Sequence, residues 1–213
     1  MGDGSFGGAG RPGSQVDLVE RHWRSLAPSG ELPRRSELDA GFLGPSLPHA
    51  FTLEEDAPGS GRVRVAGQAL HDWFGVDPRG VPLSVLFEEA SRPVLRQALL
   101  DLFARPALVE LALVTPRGSL RAPFAGRLLL LPLEGEDGQA TRALGVIGLD
   151  APPPTGPRRF AIQPGTPIRL ESLAPRSDPR PAPMGAFAVP SPQPAMGLAE
   201  SERPWLRLVI SND

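Results

Sequence analysis

Hydrophobic and polar residues alternate along several stretches of the chain, and this period of two predicts β-strands. Val63 and Val65 alternate with arginines, which indicates a strand with one buried face. The residues from Leu128 to Leu131 instead form a continuous apolar run, typical of a central strand covered on both faces. Together these patterns predict five strands, at about 48–56, 61–66, 107–115, 119–133 and 141–149.

Helical spacing marks an N-terminal segment over 15–27. Its apolar residues recur at intervals of three and four, which places them on one face. They are Val16, Val19, Trp23 and Leu26. This stripe either packs on the body of the domain or contacts a partner, including a second copy of the chain. We favour packing on the domain, and a dimer or partner contact stays as the alternative because a stripe alone does not name its partner.

Two further helices are predicted between the second and third strands. Residues 68–74 form about two turns before Gly75, a natural helix terminator. The longest helix covers 88–104, where leucines and Phe103 make an apolar face. Ser91 can cap this helix, with Pro93 in the first turn. Alternatively, the helix begins at Phe87 and Pro93 kinks it.

The order of elements predicts an α+β domain with an antiparallel sheet. We expect a disordered leader at 1–14, a helical extension at 15–46, the domain at 47–150 and a Pro-rich, mostly disordered tail at 151–213. Short ordered islands are expected in that tail near 160–173 and 204–211. The second island contains Trp205, Leu206 and Leu208, and it either docks on the domain or pairs with another protein.

Several short motifs accompany this order of elements. The N-terminal part carries Trp-Arg-Ser-Leu at 23–26, Pro-Arg-Arg-Ser at 33–36 and Leu-Pro-His at 47–49. A strand, a short helix ending in an aromatic residue and Gly, a turn and a Leu-Phe pair follow over 61–87. Taken together, these features resemble the PAS family, in particular small bacterial single-domain PAS proteins. The resemblance implies a five-stranded antiparallel sheet with helices on one face.

The amino-acid composition argues against several classes of function. The 213 residues include no cysteine, which excludes disulfides and thiol catalysis. All 22 basic residues are arginines, but 24 acidic residues balance them, so a nucleic-acid partner is not expected. No run of 18 apolar residues is present, and the N-terminus has no secretory pattern. We therefore predict a cytoplasmic protein without a membrane span.

Catalytic constellations are not found in the sequence. His22, His49 and His71 have no metal-binding spacing, and neither Gly-x-Ser-x-Gly nor a phosphate-binding loop is present. Members of the family hold haem, flavin, chromophores or metabolites between helices and sheet. The long helix at 88–104 lacks the histidine of haem members, and the chain lacks the cysteine of covalent flavin or chromophore members. We therefore predict no enzyme activity, no metal and no cofactor.

The remaining prediction is a regulatory signalling protein that acts through protein–protein interaction, with or without modulation by a small ligand. The alternative is a primary small-molecule sensor that binds an apolar ligand without a covalent bond. In either case, ten residues are candidates to line the pocket, although a core needs such residues anyway. These candidates are Phe51, Leu53, Val65, Leu70, Trp73, Phe74, Leu95, Leu99, Val109 and Leu129. The protein partner is unknown, and a homodimer is one interpretation.

Overall fold

The computed structural model describes residues 14–27, 31–115, 124–150, 159–165 and 169–173. Within these ranges the α-helices are α1 (Ser14–Leu26), α2 (Ala40–Leu43), α3 (Gln68–Phe74) and α4 (Arg92–Phe103). The strands are β1 (Ala50–Ala57), β2 (Ser60–Ala66), β3 (Ala107–Val114), β4 (Ala125–Leu133), β5 (Arg142–Leu149), β6 (Ala161–Ile162) and β7 (Arg169–Ser172).

The strands form one antiparallel sheet in the order β2-β1-β5-β4-β3-β6, and β7 also pairs with β3. The α+β class and the five long antiparallel strands predicted from the sequence are confirmed. Two short strands from beyond residue 150 lengthen the sheet at its β3 edge. These additions place part of the Pro-rich tail against the domain.

The inner face of the sheet carries the larger hydrophobic core. Side chains of α3 and α4 pack there against alternate residues of the strands, as the resemblance implied. The central members of this inner core are Leu70, Trp73, Leu95, Leu99, Leu128 and Leu130. Each of them is at most 5% exposed, so the space between the helices and the sheet is closely packed.

The leucine run in β4 shows how the sheet is covered on both faces. Leu128 and Leu130 lie in the inner core, whereas Leu129 and Leu131 lie in a second core on the outer face. Successive residues of a strand point to opposite faces, so an unbroken apolar run requires two covered faces. The prediction of a central strand covered on both sides is confirmed.

Helix α1 covers part of the outer face. Val16, Val19 and Trp23 are at most 1% exposed and belong to the outer core. The indole Nε1 of Trp23 donates a hydrogen bond to the carbonyl oxygen of Pro132 at 3.1 Å. The apolar stripe of α1 therefore packs on the domain's own sheet, which is the interpretation that the sequence favoured.

The start of α4 differs in detail from both predicted starts, which were a cap at Ser91 and a start at Phe87 with a kink at Pro93. A 3₁₀ turn over Glu89–Ser91 precedes the helix, and Pro93 lies in its first turn. Ser91 stands at the cap position, but its side chain makes no capping hydrogen bond. Instead, the Ser91 hydroxyl accepts a hydrogen bond from the backbone N–H of Ile162 at 2.9 Å. The predicted cap residue thus holds a segment of the tail.

Candidate functional site

The interior between the helices and the inner face is where a pocket was expected. Eight of the ten candidate residues lie in the inner core: Phe51, Leu53, Leu70, Trp73, Phe74, Leu95, Leu99 and Val109. Phe51 lies across Gly145, its direct partner on β5, where an added Cβ would come within 2.2 Å of the ring. Only glycine leaves room for the aromatic ring at that position.

Val65 was predicted to line the pocket, and the structure corrects this prediction. Its side chain is 48% exposed and does not belong to the inner core. The pairing of β1 with β2 shifts between Thr52 and Leu53, so that Arg64 is an extra residue on β2. Such a bulge breaks the two-residue alternation, and Val65 consequently faces the side opposite to Val63.

Leu129 was also predicted to line the pocket, and the structure corrects this prediction as well. It is fully buried, but it belongs to the outer core with Trp23 and Val146. In a run of four leucines the sequence does not show which two face inward, because both alternating sets are apolar. The structure assigns Leu128 and Leu130 to the interior.

Phe160, from the tail, occupies the middle of the aromatic part of the inner core. It is 0% exposed. Its ring centroid lies 5.5–6.1 Å from those of Trp73, Phe74, Phe87 and Phe124. Three of these contacts are edge-to-face, at 87–89°, which is a favoured geometry for aromatic pairs. The space where the family holds ligands is thus filled at this point by the chain itself.

Phe87, Phe124 and Phe160 are not among the ten residues that the sequence predicts to line the pocket. Phe87 follows a 3₁₀ turn over Leu83–Leu86, and Phe124 lies just before β4. Phe160 begins the ordered island that the sequence predicts near 160–173, but it is a single aromatic residue at the edge of a Pro-rich stretch. Its burial depends on contacts with residues more than 30 positions away, so local patterns carry no signal for it.

Three adjoining cavities lie against the outer face of the sheet in the part of the chain that the structure describes. One of them, of about 740 Å³, lies between the segment 34–43, the turn 134–136 and the strands β1, β2 and β5. Two cavities of about 400 Å³ adjoin it at Thr52 and Val65. We call this continuous depression the outer groove.

The floor of the outer groove is set by strand register. Thr52 pairs with Val65 on one side and with Leu144 on the other, so the three side chains share one face. Leu144 is buried in the outer core, whereas Val65 is half-exposed. The bulge that turned Val65 away from the interior therefore gives the groove its accessible apolar centre.

Charged side chains form the rim of the outer groove. Arg34 binds Glu134 at 3.1 Å, and this pair bridges the N-terminal extension to the turn after β4. Arg64 binds Glu54 at 2.7 Å across β1 and β2. Exposed Arg35 lines the groove beside these pairs. The rim carries both signs of charge, so no single-sign field dominates it.

A second charged feature connects α1 to the tail. Seven side chains alternate in sign along one chain of ion pairs: Glu171, Arg24, Glu20, Arg169, Glu110, Arg127 and Asp17. They come from α1, β3, β4 and β7. Hydrogen bonds from Arg24 hold the pKa of Glu171 below its usual value. These pairs, which we call the charge chain, fasten β7 to α1.

The structure describes four of the seven residues predicted as dimer or partner contacts. Val16, Val19 and Trp23 are buried against the sheet, so a partner cannot reach them while α1 is docked. Leu26 is half-buried at the end of α1. Trp205, Leu206 and Leu208 lie outside the described residues.

In the part of the chain that the structure describes, no group of three or more His, Asp or Glu side chains could hold a metal ion. His49 packs against Trp73 with ring centroids 5.3 Å apart, and burial lowers the pKa of His49. This histidine therefore favours its neutral form and acts as a packing group.

A five-stranded antiparallel sheet with helices on its inner face is the α+β architecture that the resemblance to the PAS family implied. The family model described as "PAS domain" matches residues 12–148, which is more than half of the chain. The chain therefore belongs to the PAS domain family. Among curated proteins, no sequence matches the chain.

PAS domains are generally signalling and sensory modules, and this is the class of function that the family assigns to the chain. The match begins before α1, so the N-terminal helix lies within the matched region. No helix among the described residues is both long enough and apolar enough to cross a membrane.

Proposed function

We propose that this chain is a non-enzymatic, cytoplasmic PAS regulator that acts by binding another protein through the outer groove. The groove itself carries the proposal. It combines a half-exposed apolar centre at Val65 with a rim of arginines and glutamates. Protein interfaces commonly have this arrangement, with an apolar centre, a polar rim and an enrichment in arginine.

The inner core supports a protein partner over a resident small ligand. Phe160 and four surrounding aromatic side chains fill the part of the interior that lies between α3 and the sheet. An apolar ligand there would have to displace Phe160, which is fully buried. The outer groove, by contrast, is open to a partner without any rearrangement of the core.

Affinity capture with a matched pair of variants tests the groove. Val65→Asp places a charge at its centre, and Val76→Asp places one at a site that is 63% exposed and does not line the groove. A protein captured from host lysate by the wild type and by Val76→Asp, but lost with Val65→Asp, supports the proposal. Equal capture by both variants would show that the partner binds elsewhere.

Native mass spectrometry tests the sensor alternative independently. The protein should be purified from its own host, so that any physiological ligand is retained. A mass equal to that of the chain is expected for a regulator whose interior is filled by Phe160. A reproducible additional mass that is absent after denaturation would favour the small-molecule sensor and contradict our proposal.

A further inference from the structure

The segment after residue 158 binds the domain as an extended peptide. Its described residues, 159–165 and 169–173, are called the strap here. The strap runs antiparallel to β3 and covers that edge through β6 and β7. Without the strap, β3 would be the edge of the five-stranded sheet, and its outward N–H and C=O groups would lack these partners.

The strap is held on two sides at its N-terminal end. The N–H of Phe160 donates to the carbonyl oxygen of Leu86, and its own carbonyl accepts from the N–H of Glu88, both at 2.9 Å. On the same side, the N–H of Ile162 donates to Ser91 Oγ, and on the opposite side the N–H of Gln163 donates to the carbonyl oxygen of Ala112, both at 2.9 Å. These bonds clamp the strap between the segment 86–91 and β3.

One side chain anchors the strap. Phe160 is the only fully buried residue of the strap's described part, and its socket consists of Trp73, Phe74, Phe87 and Phe124. The β7 residues are mostly exposed, and Leu170 retains 47% exposure. Main-chain pairing along a sheet edge plus one side chain in a pocket is the pattern of peptide recognition by strand addition.

The strap also makes ion pairs, in addition to its backbone pairing and the apolar contacts of Ile162 and Leu173. Arg24 of α1 binds Glu171 at 2.8 Å, and Arg169 reaches Glu110 of β3, also at 2.8 Å. These side chains are partly exposed, so added salt weakens their attraction. The side-chain ion pairs of the C-terminal half are therefore weaker than its backbone pairing with β3 suggests, while Leu173 adds a partly buried apolar contact.

From this arrangement we propose that the strap is a peptide ligand bound in cis. The site that it fills accepts an extended peptide with one aromatic side chain, from a partner protein that adds a strand to β3. Phe160 supplies that aromatic group while the strap is docked. This site is separate from the outer groove, so the proposal goes beyond the proposed function and does not depend on it.

Exchange of the strap can be measured in the full chain. Residues 152–157 are replaced with the recognition sequence of a specific protease, and the purified protein is cut there. We expect the tail fragment to remain bound to the domain. A fluorescent synthetic peptide covering 158–173 should then replace it in a concentration-dependent way, while circular dichroism shows that the domain stays folded.

Two variant peptides identify the anchor. A Phe160→Ala peptide should need at least about tenfold higher concentration, because loss of a buried aromatic anchor removes most of the binding energy at such sites. A Leu170→Ala peptide should bind like the wild type, since Leu170 is largely exposed. Equal binding by the Phe160→Ala and wild-type peptides would overturn the proposal.

Two other outcomes would also overturn it. If the domain unfolds when the tail fragment leaves, the strap is an integral part of the core and not a ligand. If the peptide at high excess never replaces the tail fragment, the site does not exchange its occupant. Neither outcome bears on Val65, so failure of this proposal is distinguishable from failure of the outer groove as a partner site.

Discussion

The inner and outer faces of the sheet are held by different forces. On the inner face, aliphatic and aromatic side chains from α3, α4 and the strap interlock with little exposure. On the outer face, α1 covers only one part with an apolar patch, and the charge chain and the outer groove occupy its surroundings. The inner face is therefore packed throughout, whereas the outer face combines a smaller buried core with exposed charged surface.

The largest effect is expected from a cavity in the inner core. Phe87→Ala removes a ring that is 0% exposed and contacts Phe160, and it should lower the free energy of unfolding by about 3–5 kcal/mol. Denaturant titration measures the loss. Val85→Ala, at a site 45% exposed, is the control and should stay within about 0.5 kcal/mol. A loss below about 1 kcal/mol for Phe87→Ala would contradict a tightly packed inner face.

A smaller loss in the free energy of unfolding is expected from a substitution at the contact between α1 and the sheet. Trp23→Phe keeps an aromatic ring but removes the donor to the Pro132 carbonyl, which leaves a buried acceptor without its bond. Such a loss should cost about 1–3 kcal/mol in the free energy of unfolding. If the helix also detaches, trypsin should cleave faster at exposed Arg21. Unchanged stability would mean that apolar contacts alone hold α1.

Breaking the charge chain should lower the free energy of unfolding by less than either of the two preceding substitutions. Glu110→Gln removes the carboxylate shared by Arg127 and Arg169, and about 1 kcal/mol or less should be lost at low salt. At about 1 M salt, screening should bring the variant and the wild type together. Glu89→Gln, at an exposed site, is the control and should show no salt-dependent difference. A loss that persists at high salt would contradict a screened surface network.

The smallest effect on the free energy of unfolding is expected from the protonation of His49 as the pH falls. Burial lowers the pKa of His49 below 6.5, so the unfolded chain binds this proton at a higher pH than the folded chain does. The histidine's unfavourable contribution is therefore absent well above pH 6.5 and grows as the pH falls through 6.5 towards the lowered pKa. Urea titrations between pH 7.5 and pH 5 should show a steeper loss for the wild type than for His49→Gln. Identical slopes would contradict this prediction.

Particular residues show what sequence patterns could and could not reveal about the two faces. The leucine run of β4 correctly indicated two covered faces, because a strand's period of two is a local property. The same period misplaced Val65, because the bulge at Arg64 arises from pairing with β1 and not from the residues of β2 alone. For Leu129, both faces were apolar, so the choice of face needed the position of α1.

The sequence by itself determined the α+β class, the five long strands, the helices α1, α3 and α4, and eight of the residues that line the inner core. These features depend on periodicity within short segments, and hydrophobic burial acts on each segment in the same way. Only the tertiary structure decided that Phe160 enters the aromatic socket, that α1 leaves the outer groove open and that β7 joins the charge chain. Those contacts join residues far apart in the chain, where loop closure and packing geometry, and not local pattern, select the partner.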